Sequence, residues 1–155
     1  MTKKTRPLKK THQHETDQLI DIENIVGASE LTAANVIEVK TAMDLMEGAN
    51  VMQVVACSHH NAEVVMFNWP KARIILKSGK DGADLALIKV ATDEDIAKRF
   101  NRVVIASGDG IFTTVAKELS EQGVEVSIVC GRGALSKNLK HQAKPYHFAD
   151  VLIKN

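Results

Sequence analysis

Short apolar runs alternate with segments of helical periodicity from residue 18 almost to the end of the chain. The apolar runs, which we interpret as strands, lie at residues 18–26, 50–57, 73–76, 102–106, 124–129 and 146–153. Between them, the spacing of apolar residues predicts helices at residues 32–47, 59–68, 82–90, 112–119 and 134–143. Thr92 is predicted to cap a further turn. This alternation predicts an α/β fold, a three-layer sandwich with a mostly parallel sheet and helices on both faces.

The length and composition fit one domain preceded by a basic segment. The 155 residues are 45% hydrophobic, enough for a core, and the net charge of +1 indicates no particular partner. Residues 1–10 contain five Lys or Arg and no acid. We therefore predict a basic flexible arm over residues 1–17 and a folded domain over residues 18–155. The arm could hold a phosphate backbone or be a solvated terminus.

Cysteine usage and hydropathy indicate the compartment. Cys57 and Cys130 each end an apolar run and neither belongs to a CxxC pair. This pattern argues against a disulfide framework or a zinc site and fits buried thiols in a reducing compartment. The sequence contains no apolar run long enough for a bilayer span and no secretory signal. We expect a cytoplasmic protein without a membrane partner.

Three aspartates lie where a charged side chain is costly or directs the local backbone. Asp21 interrupts an apolar strand, Asp109 follows the strand at 102–106 in a Ser-Gly-Asp-Gly turn, and Asp84 lies near the start of the helix at 82–90. Each position has a structural alternative. Asp21 could bind loop amides, Asp109 could cap a helix, and Asp84 could complement a helix dipole.

Taken together, the three aspartates come from three segments that are all predicted at one edge of the sheet. Parallel α/β sheets place their sites beyond the carboxyl ends of the strands, where the strand order reverses. Carboxylates gathered there repel one another unless a cation neutralises them, and hard oxygen ligands suit Mg²⁺ or Mn²⁺. Such ions activate water and stabilise charge on a phosphate during hydrolysis.

Residues 21–24 (DIEN), 81–87 (DGADLAL) and 107–112 (SGDGIF) resemble the three signature segments of NYN domains. These domains belong to the PIN-like superfamily of metal-dependent ribonucleases. The resemblance extends from about residue 18 to residue 153 and implies a Rossmann-like sheet of order 3-2-1-4-5. It also implies an endoribonuclease that hydrolyses RNA phosphodiester bonds and leaves a 3′-hydroxyl and a 5′-phosphate.

The same resemblance implies a role for each site residue. Asp21, Asp84 and Asp109 would hold Mg²⁺ or Mn²⁺ and form the catalytic set together with Asn24. Asn24 would orient the site or contact the scissile phosphate, and Ser107 would support Asp109.

Two positions depart from the family pattern. Many members have a further acid where this chain has Ile111, and another about two turns into the helix that begins near Asp84, where this chain has Val90. Asp93 and Asp95 lie beyond that place. A thinner acidic cluster means weaker metal binding, so a non-catalytic RNA-binding or regulatory domain stays an alternative.

Other residues could contact substrate. Arg132, Lys137 and Lys140, with Lys144, form a basic stripe on and around the last predicted helix, which could bind phosphates or be a solvated helix face. Ser107 joins this predicted substrate-binding set. We expect RNA, in single-stranded or loop regions, as the partner, and a homodimer is left open.

Two other enzyme classes fit the sequence poorly. Dinucleotide binding needs a glycine-rich turn directly after the first strand, and residues 22–27 contain no GxGxxG. A phosphatase of the DxD type would need a second Asp where Glu23 stands.

Overall fold

The computed structural model of the protein describes residues 16–46, 51–79 and 82–154. All strands in these ranges pair in parallel within one sheet of order β3-β2-β1-β4-β5-β6. The strands are Thr16–Asp21 (β1), Val51–Cys57 (β2), Arg73–Leu76 (β3), Arg102–Ala106 (β4), Glu125–Cys130 (β5) and Lys144–His147 (β6). The sheet confirms the predicted order 3-2-1-4-5 and extends it by a sixth strand.

Helices connect successive strands and cover both faces of the sheet. They are Ile22–Val26 (α1), Ala33–Met46 (α2), Ala62–Asn68 (α3), Gly82–Asp93 (α4), Ile96–Arg99 (α5), Thr113–Glu121 (α6), Lys137–Gln142 (α7) and Phe148–Lys154 (α8). Short 3₁₀ helices at His59–Asn61 and Gly110–Phe112 lead into α3 and α6. Within the described ranges, every helix is too short or too polar to span a lipid bilayer.

The core consists of two apolar layers, one on each side of the sheet. Ile20 points into a layer that it shares with buried residues of α1, α2, α3 and α8. Leu19, its neighbour in β1, points into the other layer, which buries residues of α4, α5, α6 and α7. Side chains alternate along a strand, so β1 is apolar on both faces. The α/β sandwich predicted from the sequence is confirmed.

The first strand begins at Thr16, two residues inside the predicted arm, and residues 1–15 of that arm lie outside the described ranges. The strand predicted at residues 18–26 ends at Asp21, and the chain turns directly into the short helix α1. Gly27 terminates that helix in a left-handed conformation with φ 77°. This early turn leaves Asp21 as the last residue of β1.

The strand predicted at residues 146–153 is wrong in its second half. Strand β6 ends at His147, and Phe148–Lys154 forms helix α8. Phe148 and Val151 are buried and Leu152 packs beside them against the layer that contains α2. Positions 148, 151 and 152 have helical spacing, so a helix and not a strand turns all three to the core.

The cap predicted at Thr92 is also wrong. Thr92 lies inside α4, and its hydroxyl donates to the carbonyl of Ile88 at 3.0 Å. The helix continues because Val90 and Ala91 keep the apolar face that packs on the sheet. The chain bends at Asp95, whose φ of 53° is left-handed, before α5 begins.

Candidate active site

Asp21 ends the central strand at the point where the strand order reverses. Strand β1 pairs with β2 on one side and with β4 on the other, so the chain leaves β1 in one direction and later returns to its opposite edge. Ligand sites of parallel sheets lie at this switch point, beyond the carboxyl ends of the strands. The Asp21 side chain is almost fully buried there, with 5% of its surface exposed.

Asp109 comes to the same edge from β4. Its Oδ1 accepts a hydrogen bond from the Ile111 backbone at 3.0 Å, and its own N–H donates to the Ser107 hydroxyl at 3.2 Å. Gly108 allows the turn to pack closely, because a Cβ at this position would lie 2.5 Å from the Ala134 carbonyl oxygen. The predicted N-cap contact therefore exists for a 3₁₀ helix, and it leaves the second carboxylate oxygen uncommitted to that cap.

Asp84 reaches the edge from the helix layer. It lies in the first turn of α4 and is 6% exposed, so the helix turns it inward and not to solvent. The carboxyl groups of Asp21 and Asp109 lie close enough to that of Asp84 to raise its pKa. The three predicted aspartates, from β1, α4 and the turn after β4, are therefore brought together. Asp81, the other acid of this segment, lies outside the described ranges.

Burial and mutual repulsion disfavour full ionisation of this cluster of three carboxyl groups. Burial, together with the neighbouring carboxylates of Asp21 and Asp109, raises the pKa of Asp84 to about 9. Burial also raises the pKa of Asp21, although hydrogen bonds with Asp84, Asn24 and Ser107 oppose the change. Among the described residues, no Lys or Arg forms an ion pair with any of the three. In the metal-free cluster, burial and repulsion between the carboxylates therefore favour a bound proton over full ionisation.

A hard divalent cation fits the chemistry of this donor set. It would take the place of the proton and neutralise the charge of the three carboxylates. As the side chains stand, however, no three His, Cys, Asp or Glu residues in the described ranges are arranged to hold one ion together. The effect of Asp21 and Asp109 on the pKa of Asp84 shows that the acids are neighbours, and the metal site itself stays a prediction.

Asn24 and Ser107 tie the two central loops together. The Asn24 Oδ1 accepts a hydrogen bond from the Gly108 backbone at 3.0 Å, which joins α1 to the turn after β4. The fully buried Ser107 donates through its hydroxyl to Asp21 Oδ2 at 3.4 Å and accepts from the Asp109 backbone. Both residues thus hold Asp21 and Asp109 in register across the strand pair.

The two departures from the family pattern are apolar residues that belong to the core. Val90 is buried and Ile111 packs against the same layer of the core. Asp93 lies nine residues after Asp84 at the last position of α4, about 13 Å further along the helix axis. Asp93 therefore lies near the opposite edge of the sheet and does not replace the missing acid.

The residues of the predicted basic stripe have different surroundings in the structure. The Arg132 guanidinium lies 3.2 Å from Glu38 on α2 and 5.2 Å from the centroid of the Phe148 ring. Lys137 and Lys140 lie exposed on α7, and neither forms an ion pair within the part of the chain that the structure describes. The two lysines are therefore the better placed for a phosphate backbone.

Glu23 has a role in the site that its position beside Asp21 did not reveal. Its carboxylate accepts hydrogen bonds from the Ser58 backbone at 3.0 Å, from the Ser58 hydroxyl at 2.9 Å and from the Asn61 amide. These bonds fix the turn after β2 against α1. The 3₁₀ helix that follows carries His59, whose Nδ1 lies 2.7 Å from the Ser78 hydroxyl. The DIEN segment was the available signal, but the partner segment lies more than thirty residues away.

Two concave surfaces lie at this edge. The larger, of about 530 Å³, is lined by residues 30–31, 60–61, 63–64 and 67–68 and includes none of the three aspartates. The smaller, of about 360 Å³, lies beside Asp109 and Asn24. The smaller cleft is the one that adjoins the acidic cluster, because Asp109 lines it.

Known proteins resemble this chain in both sequence and fold. The sequence profile of the NYN domain matches residues 19–152. A crystal structure of a protein of unknown function from Vibrio parahaemolyticus has 15% sequence identity and a TM-score of 0.64, covering 90% of this chain and 95% of that one. At this identity the likeness shows the fold alone. No curated protein matches the chain. Since the profile covers nearly all of the described domain, the chain belongs to the NYN domain family.

Proposed function

We propose that this protein is an endoribonuclease that depends on a divalent metal ion and hydrolyses RNA phosphodiester bonds. One observation carries the proposal. Asp21, Asp84 and Asp109 arrive from three separate elements, and Asp21 and Asp109 both lie beside Asp84 at the switch point of the sheet, without an ion pair to any Lys or Arg in the described ranges. Buried carboxylates without a cation are costly, and a structural role would not require three of them together.

Asp21, Asp84 and Asp109 would hold the ion. When bound, Mg²⁺ or Mn²⁺ activates water and stabilises the negative charge that develops on the phosphate. Asn24 and Ser107 keep the aspartates in place through bonds to the Gly108 and Asp109 backbone. The exposed lysines Lys137 and Lys140 would contact phosphates of the bound strand. The products would carry a 3′-hydroxyl and a 5′-phosphate.

Substitution of Asp109 tests this proposal. Asp109→Asn should abolish cleavage of a labelled single-stranded RNA in Mg²⁺ and in Mn²⁺, and circular dichroism should report an unchanged fold. Asp93→Asn, which alters an exposed acid at the other end of α4, is the matched control and should cleave normally. A 5′-phosphate-dependent exonuclease should degrade the wild-type products. Equal cleavage by Asp109→Asn would rule out the assignment.

A second function is favoured by one observation. Ile111 and Val90 pack in the core at the positions where many family members have additional acids. With fewer ligands the protein could bind RNA without cutting it. In that case RNA binding persists in EDTA, no divalent metal restores cleavage, and Asp109→Asn leaves the affinity for RNA unchanged.

A further inference from the structure

A cleft beside Asp109 is walled by three segments that meet at the sheet edge. The Asn24 side chain forms one wall, the turn at 108–110 forms the floor, and residues 134–136 form the opposite wall. The volume of about 360 Å³ is at the small end of the range for ligand pockets. It suits one nucleotide and is too small for a base pair.

The loop that forms the wall at 134–136 is held by hydrogen bonds to the turn at 108–110 and to α1. The Ser136 backbone donates to the Gly108 carbonyl at 2.8 Å, and the Arg132 backbone donates to the Ile25 carbonyl at 2.9 Å. These two bonds anchor the loop between β5 and α7 at both ends. The cleft is thus a feature of the folded framework and not an accident of one side-chain rotamer.

Some polar atoms at the cleft form hydrogen bonds within the protein, and others have no partner among the described residues. Asn24 uses its Oδ1 for Gly108, and Asp109 uses its Oδ1 for Ile111. Among the described residues, neither the Asn24 Nδ2 group nor the Ser136 hydroxyl has a hydrogen-bond partner. Both are neutral groups that can donate to the hydroxyl or phosphate oxygens of a nucleotide.

The remaining lining is small or apolar. Gly108, Gly110 and Ala134 leave the cleft open, and Leu135 is the one large apolar side chain on its wall. None of the lining residues is aromatic, so the cleft offers no ring on which a particular base could stack. Contacts to sugar and phosphate, together with packing on Leu135, would therefore tolerate any base.

We infer that this cleft binds a single unpaired nucleotide of RNA next to the phosphate that is cut, and that Ser136 positions it. Asn24 Nδ2 and the Ser136 hydroxyl donate to the sugar-phosphate, and Leu135 packs against the nucleoside. The inference rests on the proposed function, because it takes Asp109 as the reacting side of the cleft. To the single-stranded RNA already expected from the sequence, it adds the place where one nucleotide binds and two residues that contact it, Leu135 and Ser136.

The first test blocks the cleft and measures binding. Ala134→Phe, at an exposed position of the cleft wall, is compared with Ala34→Phe, at an exposed position on α2 outside the cleft. Both are made in the wild type and in the Asp84→Asn background, and binding of a fluorescein-labelled single-stranded RNA is followed by anisotropy. We expect Ala134→Phe to weaken binding by about tenfold or more, as loss of one well-packed contact does, and Ala34→Phe to leave it unchanged.

The second test removes one hydroxyl. Ser136→Ala should raise KM about fivefold, the usual effect of one lost hydrogen bond, and leave kcat within about twofold. Ser120→Ala, an exposed serine near the far end of α6, is the control and should change neither constant. A fall in kcat at constant KM for Ser136→Ala would contradict a substrate-positioning role.

The outcomes separate this inference from the proposed function. If the wild type cleaves RNA and Ala134→Phe neither weakens binding nor raises KM, the cleft is not a subsite and the nuclease assignment stands. If the wild type does not cleave but Ala134→Phe still abolishes binding of single-stranded RNA, the subsite stands and the nuclease assignment falls. Equal binding of a fully paired duplex and of single-stranded RNA would overturn the preference for an unpaired nucleotide.

Discussion

Asp17 lies in the middle of the sheet, fully buried in β1, and neither of its carboxylate oxygens has a hydrogen-bond partner among the described residues. Burial raises its pKa to about 7, and the charge of Glu94 acts in the same direction. The charges of Arg99 and Arg73 oppose the rise, but Arg73 is already held by Glu94 through two bonds of 2.6 and 2.9 Å. Asp17 is therefore a titratable group that the acidic site does not use.

The raised pKa of Asp17 predicts how stability depends on pH. A carboxyl whose pKa is about 7 when folded and 3.8 when unfolded keeps its proton longer in the native state. The free energy of unfolding should therefore fall as pH rises from about 4 through about 7. Asp17→Asn should remove this loss and be more stable than the wild type at about pH 8, by on the order of 4 kcal/mol.

Urea unfolding of the metal-free protein at several pH values measures this effect. The difference in the free energy of unfolding between wild type and Asp17→Asn should grow as pH rises from about 4 through about 7. A pH-independent difference for Asp17→Asn would mean that Asp17 is ionised in the native state throughout.

Asp84 should lower the stability of the metal-free protein and be required for metal binding. Burial and the carboxylates of Asp21 and Asp109 disfavour its charged form, so Asp84→Asn should unfold at a higher temperature than the wild type in EDTA. Each kcal/mol gained corresponds to about 3 °C in a domain of this size. Added Mn²⁺ should raise the melting temperature of the wild type and leave that of Asp84→Asn unchanged. An equal Mn²⁺ effect on both proteins would place the ion elsewhere.

At the scale of elements, the site is assembled by side chains that bind the backbone of a neighbouring loop. Asn24 holds the turn after β4, and Glu23 holds the turn after β2. Both belong to α1, a helix of five residues that follows the central strand directly. A short helix therefore fixes the two loops on either side of Asp21.

Loss of the Glu23 carboxylate should loosen the turn after β2. Glu23→Ala leaves the Ser58 backbone and hydroxyl and the Asn61 amide without their acceptor, which costs about 1–3 kcal/mol for groups of this kind. Hydrogen exchange should become faster at the Ser58 amide and in His59–Asn61, and remain unchanged in β4. Glu63→Ala, at an exposed position on α3, is the control and should alter neither stability nor exchange.

The elements were predictable where local pattern and tertiary packing agree. The bounds of β3 and β4 match the apolar runs at 73–76 and 102–106, because buried parallel strands are apolar at nearly every position. The end of the chain was misread because residues 148–153 are apolar enough for a strand, and only their packing against α2 selects a helix. The helix expected at 134–143 begins at Lys137, since residues 134–136 are held as a loop by Gly108.

The site was predictable in part for the same reason. The three aspartates could be placed at one edge from strand order, and the resemblance gave them a joint role. The contacts of Glu23 with Ser58 and of Ser136 with Gly108 join segments that are far apart in the chain, and no local periodicity records them. The burial of Asp17 without a hydrogen-bond partner could not be predicted either, because a single polar residue near the start of a strand is ordinarily solvated.

At the scale of the whole molecule, acidic and basic side chains lie at separate places, the acids at the sheet edge and two lysines on α7. The acids gather beyond the carboxyl end of β1, and the exposed lysines Lys137 and Lys140 lie on α7, next to the loop that walls the cleft. The net charge of +1 gives the molecule no general attraction for a polyanion. RNA binding would therefore depend on local basic residues such as these two lysines.

Replacement of both lysines tests this view of binding. Lys137→Ala together with Lys140→Ala should weaken RNA binding for all sequences alike and reduce the slope of log affinity against log salt by about 1.4, the value for two phosphate contacts to a single strand. Anisotropy titrations over a range of KCl concentrations measure the slope. Lys71→Ala, at an exposed position just before β3, is the control. An unchanged slope in the double variant would exclude α7 from the binding surface.

The position of β1 in the sheet has a consequence for how the protein is made. Its two neighbours are β2, which follows soon after, and β4, which begins only at Arg102. While the chain emerges from the ribosome, one edge of the central strand stays open until most of the domain has been synthesised. Until then, the site around Asp21 lacks Asp109 and the loop at 131–136. A nascent chain that stops before β4 therefore has a central strand with one unpaired edge, which can associate with other chains.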